Sequence, residues 1–404
     1  MNIELYHVTL TLTSPAIVGA RGSERGLLYT VMRDIVPGPS FHGTLVKAIA
    51  SNIYSGSIIT PSTLQTFVTP LYPVTGGGKL YRDATIAHAL SIHGKGYASS
   101  IITSYNVEKV IDLLEHGLKL EEAIVKTITD YLDALHSYSL RLEMGLSVNV
   151  ADLKSAQGVV VEKDHVGSAE VWKKVRVRKG AYLENAVDRV RGSVYAGALY
   201  GYEYIVPGTL FTGYVACSSG QGLCRDVSGI AGADVVIGKG QGRGFGRARI
   251  EIRQVAVENE AKTCCPVGEK LVALIATSPS FVADPIPRPV RAGDILETLS
   301  GVKLVIKHVI GSRLDVYVGW SRLRHSPKLV VRDNALGTIL VAEVDNSKLT
   351  EPLCVELMMG MLKNSLPGFN TFQVIRRDPL HTSPETLVNL VKTLHQVSSR
   401  GAGT

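Results

Sequence analysis

Residues 3–13 alternate apolar and polar side chains, the period-two signature of a half-buried strand. Ser14-Pro15-Ala16-Ile17-Val18-Gly19 follows, then a polar loop from Ala20 to Arg25. After the turn Val36-Pro37-Gly38-Pro39-Ser40 the period lengthens. Leu45, Val46, Ile49 and Ile53 predict a helix with Ser40 as its cap and Lys47 on its open face. The opening unit reads as strand, long basic loop, helix. Residues 55–140 interrupt it. Pro61, Pro70, Pro73 and Gly76-Gly77-Gly78 punctuate the first part. Val107, Val110, Ile111 and Leu114 then mark one helical face, and Leu120, Ile124, Ile128, Leu132 and Leu135 a second, with the break at Gly117. This predicts a helical insertion in a mainly β protein.

In residues 170–180, Val175 and Val177 alternate with Lys174, Arg176 and Arg178, which fits a basic β-ribbon or an edge strand defended by charge. Residues 193–204 and 210–216 read as two strands joined by a tight turn at Pro207-Gly208. A short apolar run, Ala233 to Ile237, and a period-two strand at 248–255 bracket a glycine-rich stretch. A second half starts near residue 268. Its first strand, 269–278, ends in Thr277-Ser278-Pro279 and echoes Thr13-Ser14-Pro15. Strands at 302–310, 314–320 and 338–344 and a helix at about 351–363 follow. A last helix has Ser383 as cap, Pro384 at its first position and Leu387, Leu390, Val391 and Leu394 as its buried stripe. The pattern as a whole is α+β, with small antiparallel sheets in both halves and a division into residues 1–262 and 268–397.

The 404 residues, 45% hydrophobic and 20% charged, are enough for two packed cores and too apolar for a disordered chain. A net charge of +7 favours an anionic partner. Cysteines at 217, 224, 264, 265 and 354 form no CxxC pair, so they read as buried thiols in a reducing compartment, and no metal or cofactor is expected. The N-terminus lacks a signal-peptide pattern and no apolar run is long enough to span a bilayer, which together point to a cytoplasmic protein.

The glycine-rich stretch concentrates the candidate chemistry. Gly238, Gly240, Gly242, Gly244 and Gly246 alternate with Lys239, Gln241, Arg243 and Phe245, and Arg247 follows. Glycines permit positive φ and close approach of a ligand to the backbone. The strict alternation departs from GxGxxG, a strand and not a helix comes next, and the Gly-Lys-Ser/Thr ending of a P-loop is absent. The stretch therefore reads as a clamp on a nucleic-acid backbone, with a ligand-free glycine hairpin as the plain alternative. Phosphate contacts would come from Lys239, Arg243 and Arg247, with Arg21, Arg25 and Lys47 as additions. The amides of Gly240 to Gly244 would add hydrogen bonds that read no base. Phe245 either stacks on a base or anchors the loop. His42 and His7 titrate near neutrality and could do acid–base work, though each reads more simply as a structural histidine. Glu24 and Asp34 read as salt-bridge partners. No Ser-His-Asp or HExxH pattern is visible.

Four segments in order resemble the RAMP superfamily of CRISPR-associated proteins. They are Ser14 to Gly19, Val36-Pro37-Gly38-Pro39-Ser40-Phe41-His42-Gly43, Leu199-Tyr200-Gly201-Tyr202-Glu203-Tyr204-Ile205-Val206-Pro207-Gly208-Thr209-Leu210-Phe211, and the glycine stretch. Val318-Gly319-Trp320, Ser326-Pro327-Lys328 and Ala335 to Leu340 are similar to the second domain of the large RAMP subunit of type III-D effectors. The resemblance implies two ferredoxin-like (RRM-like) domains, the first carrying the glycine loop and a helical insertion at about 55–140, the second degenerate. It implies a non-catalytic subunit that binds guide RNA (crRNA), caps its 5′ handle, and contacts the large polymerase-like subunit and backbone RAMP subunits. The alternative it offers is a metal-independent, guide-RNA-processing endoribonuclease using His42. The sequence departs from the family in two places. His42 stands where Arg or Lys is usual, and Leu366-Pro367-Gly368-Phe369-Asn370 keeps one glycine where a second glycine loop is expected, which implies a scaffolding role for the second half.

Overall fold

A computed structural model describes residues 3–18, 20–22, 28–31, 34–54, 66–74, 84–94, 101–141, 153–166, 169–187, 191, 194–218, 223–258, 265–283, 286–311, 314–321, 326–345 and 348–390. The chain divides into two compact units, Met1–Arg82 with Val175–Glu260 and Leu366–Phe369, and Asp83–Lys174 with Ala261–Ser365 and Asn370–Thr404.

The first unit is built on β1 (Ile3–Leu12), α1 (Gly38–Asn52), β2 (Thr66–Val68), β3 (Leu210–Ser218), α2 (Leu223–Gly229) and β4 (Arg247–Val255). The sheet order is β4-β1-β3-β2 with every pairing antiparallel, which is the ferredoxin-like β-α-β-β-α-β arrangement. The period-two pattern of β1 turns Tyr6, Val8, Leu10 and Leu12 into the core, where Phe41, Leu45 and Ile49 of α1 and Val227 of α2 meet them. The opposite face is also buried at Leu5, His7, Thr212 and Tyr214.

Local chemistry explains where this unit departs from the expected elements. Ser40 is not the cap of α1. The helix starts at Gly38 after Pro37, and the Ser40 amide already bonds the Pro37 carbonyl at 3.0 Å. Proline supplies a helical φ and lacks the N–H that a first turn leaves unpaired, so Pro37 and Pro39 set the start earlier. The expected polar loop, Ala20 to Arg25, begins with strand Ala20–Gly22, which pairs with Leu28–Val31 just beyond it, and Leu28–Val31 runs parallel to Val194–Ile205. Val194–Ile205 and β3 are not a hairpin. The first pairs with Lys179–Val187 and the second with β1, because the Gly208 amide is caught by the Leu12 carbonyl at 2.7 Å and hands the chain to the other sheet. Residues 170–174 belong to a strand inside the six-stranded sheet of the second unit, and the basic stretch after it is not a ribbon. Val175 and Val177 are buried, but the chain there is an extended connector between strands Ala169–Lys174 and Lys179–Val187 of two different sheets.

The second unit repeats the sheet order with β5 (Leu271–Ala276), β6 (Lys303–Ile310), β7 (Ile339–Val344), α3 (Glu351–Met359) and β8 (Phe372–Ile375), arranged β6-β7-β5-β8. Between β5 and β6, where this fold places its first helix, the described residues hold only short strands. α3 stops at Met359, short of residue 363, because Gly360 takes the left-handed conformation (φ 68°) that closes a helix. Leu274 and Leu340 face Leu353 and Leu357 of α3. The other face of the sheet, Ala273, Ile275, Ile339 and Val341, is covered by Val110, Ile111 and Ala123 of the inserted segment.

That insertion holds the expected helices, Val107–Glu115 and Leu120–Arg141, broken at Gly117 (φ 87°). It is not simply helical: residues 84–104 and 154–174 add a six-stranded sheet. The long helix buries Ala123, Thr127, Tyr131 and Leu135, a stripe shifted from the apolar one. Its polar members are accommodated because Thr127 Oγ1 donates to the Ala123 carbonyl and Tyr131 Oη to that of Thr382. The last helix is capped as expected, with Ser383 Oγ accepting from the Thr386 amide and Leu387 and Leu390 buried; Val391 and Leu394 lie outside the described residues.

The echo of Thr-Ser-Pro is a structural repeat. Ser14 Oγ accepts from the Arg247 amide (2.8 Å) and Ser278 Oγ from the Thr371 amide (2.9 Å). The Pro15 carbonyl accepts from Gly246 and that of Pro279 from Asn370, and both of these residues have positive φ (80° and 54°). Gly368-Phe369-Asn370 is therefore the counterpart of Gly244-Phe245-Gly246, and the second loop exists with Asn in place of one glycine. Asparagine tolerates the left-handed region better than most residues. Gly368 is spent in packing: a Cβ there would collide with the backbone of Gly38 and Pro39 at the start of α1.

The cysteines are not all free thiols. Cys265 and Cys354 form a disulfide with Cα atoms 6.0 Å apart, and Cys217 is also disulfide-bonded. The first pair meets because the chain entering the second unit runs beside the start of α3, where the Gly268 amide bonds the Leu349 carbonyl.

Candidate nucleic-acid interface

The glycine stretch is the hairpin between strand Asp234–Val236 and β4, which pair antiparallel. Its shape is fixed by two pinches. The Lys239 amide donates to the Ile17 carbonyl (2.9 Å) and the Gly246 amide to that of Pro15 (2.7 Å). A Cβ on Gly238 would overlap the Ile17 carbonyl, and one on Gly246 the Ile237 carbonyl. Between the pinches, Gln241–Arg243 makes one 3₁₀ turn flanked by Gly240 (φ 73°) and Gly244 (φ 87°). The other side of the Ser14–Val18 brace bonds Val194–Ile205 through Ala16 and Ile205. From α1, Lys47 Nζ donates to Gln241 Oε1 at 3.1 Å, and Gln241 Nε2 reaches back to the Gly238 carbonyl at 3.0 Å. Ser14 to Val18 thus braces the loop directly, Leu199 to Phe211 holds that brace through Ile205, and Val36 to Gly43 opens the helix whose Lys47 reaches the loop.

The turn consumes some of the expected amide donors. Those of Arg243, Gly244 and Phe245 bond carbonyls inside the loop, while Gly240 and Gly242 have no acceptor for theirs among the described residues. Lys239, Arg243 and Arg247 are exposed. Partial desolvation nevertheless holds the Lys239 pKa below its ordinary value. Arg247 has no anionic partner among the described residues, and Arg249 and Arg253 share its sheet face. Arg243 differs: Nη1 donates to Glu184 Oε2 at 2.6 Å and to Tyr202 Oη at 3.0 Å, with its guanidinium carbon 4.6 Å above the Tyr202 ring. The half-buried Phe245 packs on Gly240 and lies 6.4 Å from the Tyr204 ring and 6.5 Å from that of Tyr202. Gln241, Glu184 and Tyr202 were not among the sequence candidates, and only the alternation of Gln241 with the cations hinted at one of them.

Arg21 lies on strand Ala20–Gly22; Arg25 and Glu24 fall outside the described residues. Lys179 Nζ sits 3.2 Å from Asp34 Oδ1. His42 Nε2 is bonded to Thr66 Oγ1 (3.1 Å) and His7 Nε2 to Thr212 Oγ1 (2.6 Å), with the His7 ring edge-on to Tyr214. Folding does bring one serine, histidine and aspartate together, in the second unit. Asp378 accepts from Ser104 Oγ at 2.5 Å and lies 3.1 Å from His88 Nε2. Burial alone would raise the Asp378 pKa; His88, Ser104 and the Leu380 amide hold it below the usual carboxylate value. The carboxylate stands in the middle, so the serine is not bonded to the base, and both His88 and Asp378 side chains are fully buried. This is a structural knot and not a triad. No cluster that could hold a metal ion is found among the described residues, and none of their helices is long and apolar enough to cross a membrane.

No family model matches this chain, and no curated protein does. Solved structures similar to it include the type III-B Cmr-beta complex bound to cognate target RNA, at 14% identity over 83% of this chain and 86% of that one, with a TM-score of 0.39. Oligomeric Cmr4 from Pyrococcus furiosus is 10% identical over 63% of this chain and all of that one (100%), with a TM-score of 0.25. A type IV-B CRISPR complex is 10% identical over 62% and 90%, also with a TM-score of 0.25. Likenesses at this level carry no argument about the site.

Proposed function

We propose that this chain is a non-catalytic subunit that binds the guide RNA of a type III CRISPR ribonucleoprotein, capping its 5′ handle and contacting the large polymerase-like subunit. The observation that carries the reading is one glycine hairpin pinched onto the Ser14–Val18 brace, with Lys47, Lys239 and Arg247 around it. Cations grouped at a loop with two available amides suit phosphates and read no bases. Stacking of bases on the central strands, as an RRM does it, is not available, because His7, Thr212 and Tyr214 are buried on that face. The second unit's sheet is closed on both sides, which suits a scaffolding role.

Binding of single-stranded RNA with a repeat-derived 5′ end should weaken steeply as salt rises. Lys47→Ala and Arg247→Ala should each reduce the log–log salt slope by about 0.7, the value per phosphate contact on a single strand. Filter binding measures it, and a flat salt response in the parent protein would overturn the reading. Repeat RNA should also remain intact with or without Mg²⁺, because His42 Nε2 is engaged by the neutral hydroxyl of Thr66 at 3.1 Å. Discrete products that disappear in His42→Ala would instead establish the endoribonuclease.

A further inference from the structure

We propose that Tyr182, Tyr202 and Arg243 form a platform on which unpaired bases stack, beside the phosphate-holding part of the loop; this rests on the RNA-binding reading above. Arg243 is poorly suited to a phosphate. Its charge is already balanced by Glu184 at 2.6 Å, and a phosphate would have to displace that carboxylate. The Tyr202 ring below it and the two hydrogen bonds from Nη1 hold the guanidinium in place, yet the side chain remains 44% exposed. A planar cation fixed on one aromatic ring presents a flat π surface that takes a nucleobase.

The strands beneath extend that surface. Lys179–Val187 and Val194–Ile205 pair in the register Gly180–Tyr204, Tyr182–Tyr202, so these four residues share one face, and Glu184 lies one step further along it. A Cβ on Gly180 would lie 2.5 Å from the Tyr204 ring, so the glycine makes room for that ring over the strand. Phe245 then packs against both Tyr202 and Tyr204 and ties the loop to this face. Tyr182, directly across from Tyr202, is left 51% exposed. Lys239 and Arg247 lie in the same loop as Arg243 and Phe245, which meet the tyrosines, and stacking rings next to cations are the elements that single-stranded nucleic acid needs. The occupant is therefore an unpaired segment of RNA, recognised by ring stacking with little preference for base.

The test uses the full-length protein and a short single-stranded RNA carrying 2-aminopurine, whose fluorescence is quenched when it stacks. Tyr182→Ala should weaken binding about tenfold, relieve the quench and leave the salt slope unchanged. Arg243→Lys keeps the charge and loses the plane, and it should do the same. Arg247→Ala should lower the slope and keep the quench. Glu184→Gln, which uncovers the Arg243 charge, should steepen the slope. A slope lowered in Arg243→Ala as much as in Arg247→Ala, with the quench intact in Tyr182→Ala, would make Arg243 a phosphate contact and remove the platform. RNA binding by the parent without any quench would overturn the platform alone; no binding at all would overturn the functional reading with it. Melting curves matching the parent's establish that the variants are folded.

Discussion

Gly246→Ala should destabilise the first unit by about 3 kcal/mol or more, because among the described glycines it is here that an added Cβ meets another atom most closely. Gly246 has a φ of 80°, which costs an alanine about 1–2 kcal/mol. The added Cβ would also overlap the Ile237 carbonyl, so the backbone must move. That movement strains two hydrogen bonds, from the Gly246 amide to Pro15 and from the Ile237 amide to Gly246, each worth about 1 kcal/mol. Gly242→Ala is the control. Its φ is not positive and nothing lies within 4 Å of the new methyl, so its melting temperature should stay within about 2 °C of the parent's. Calorimetry of the two variants decides the matter. Equal melting temperatures would mean that the hairpin is loose and that its glycines are interchangeable.

The contrast between these two glycines marks how far the sequence could be read. Ten residues with alternate glycines announced a special loop, and the period-two runs on both sides placed it between strands. Which glycines are structural depended on the Ser14–Val18 brace, more than 200 positions away in the chain, and no local pattern carries that. The same holds for Arg243. Its chemistry changes with Glu184 and Tyr202, residues 59 and 41 positions earlier, which meet it only through strand register. The inserted helices were legible from their 3.6 periodicity, whereas the surface they cover, Ala273, Ile275, Ile339 and Val341, is made much later in the chain. Short strands such as Ala20–Gly22 and Thr66–Val68 are too brief to show a period. The second glycine loop was legible only as a degenerate remnant at Leu366 to Asn370, because Asn370 replaces the glycine at a position of positive φ.

Cys265→Ser should lower the melting temperature of the second unit by roughly 5–10 °C. The bridge to Cys354 spans 89 residues, and in the chain-entropy account closing such a loop is worth about 4.6 kcal/mol, of which natural cross-links commonly deliver about 2–4. For a unit of this size each kcal/mol corresponds to about 2–4 °C. Replacing Cys265 is the cleaner experiment, because Cys354 is 5% exposed in the core and a serine hydroxyl there would add a burial cost of its own. Reductant alone also opens the bond at Cys217. A Cys265→Ser protein that melts with the parent would show that the unit is held by its sheet and helices without help from the bridge.

The interleaving of the two units has a kinetic consequence. β1 is made first but is flanked by β3 and β4, so its sheet cannot close until residue 255 has been synthesised. The helices at 107–141 emerge with an apolar face and wait for β5, β7 and β8, the last of which ends at Ile375. Both sheets therefore depend on pairings between distant parts of the chain, the kind of topology that folds slowly and leaves apolar surface exposed meanwhile. A chain released at Glu260 would hold every strand of the first sheet together with a pair of helices whose apolar face, Val110 and Ile111, has nothing to cover. Such a fragment is a client for a chaperone or a protease before it is a domain.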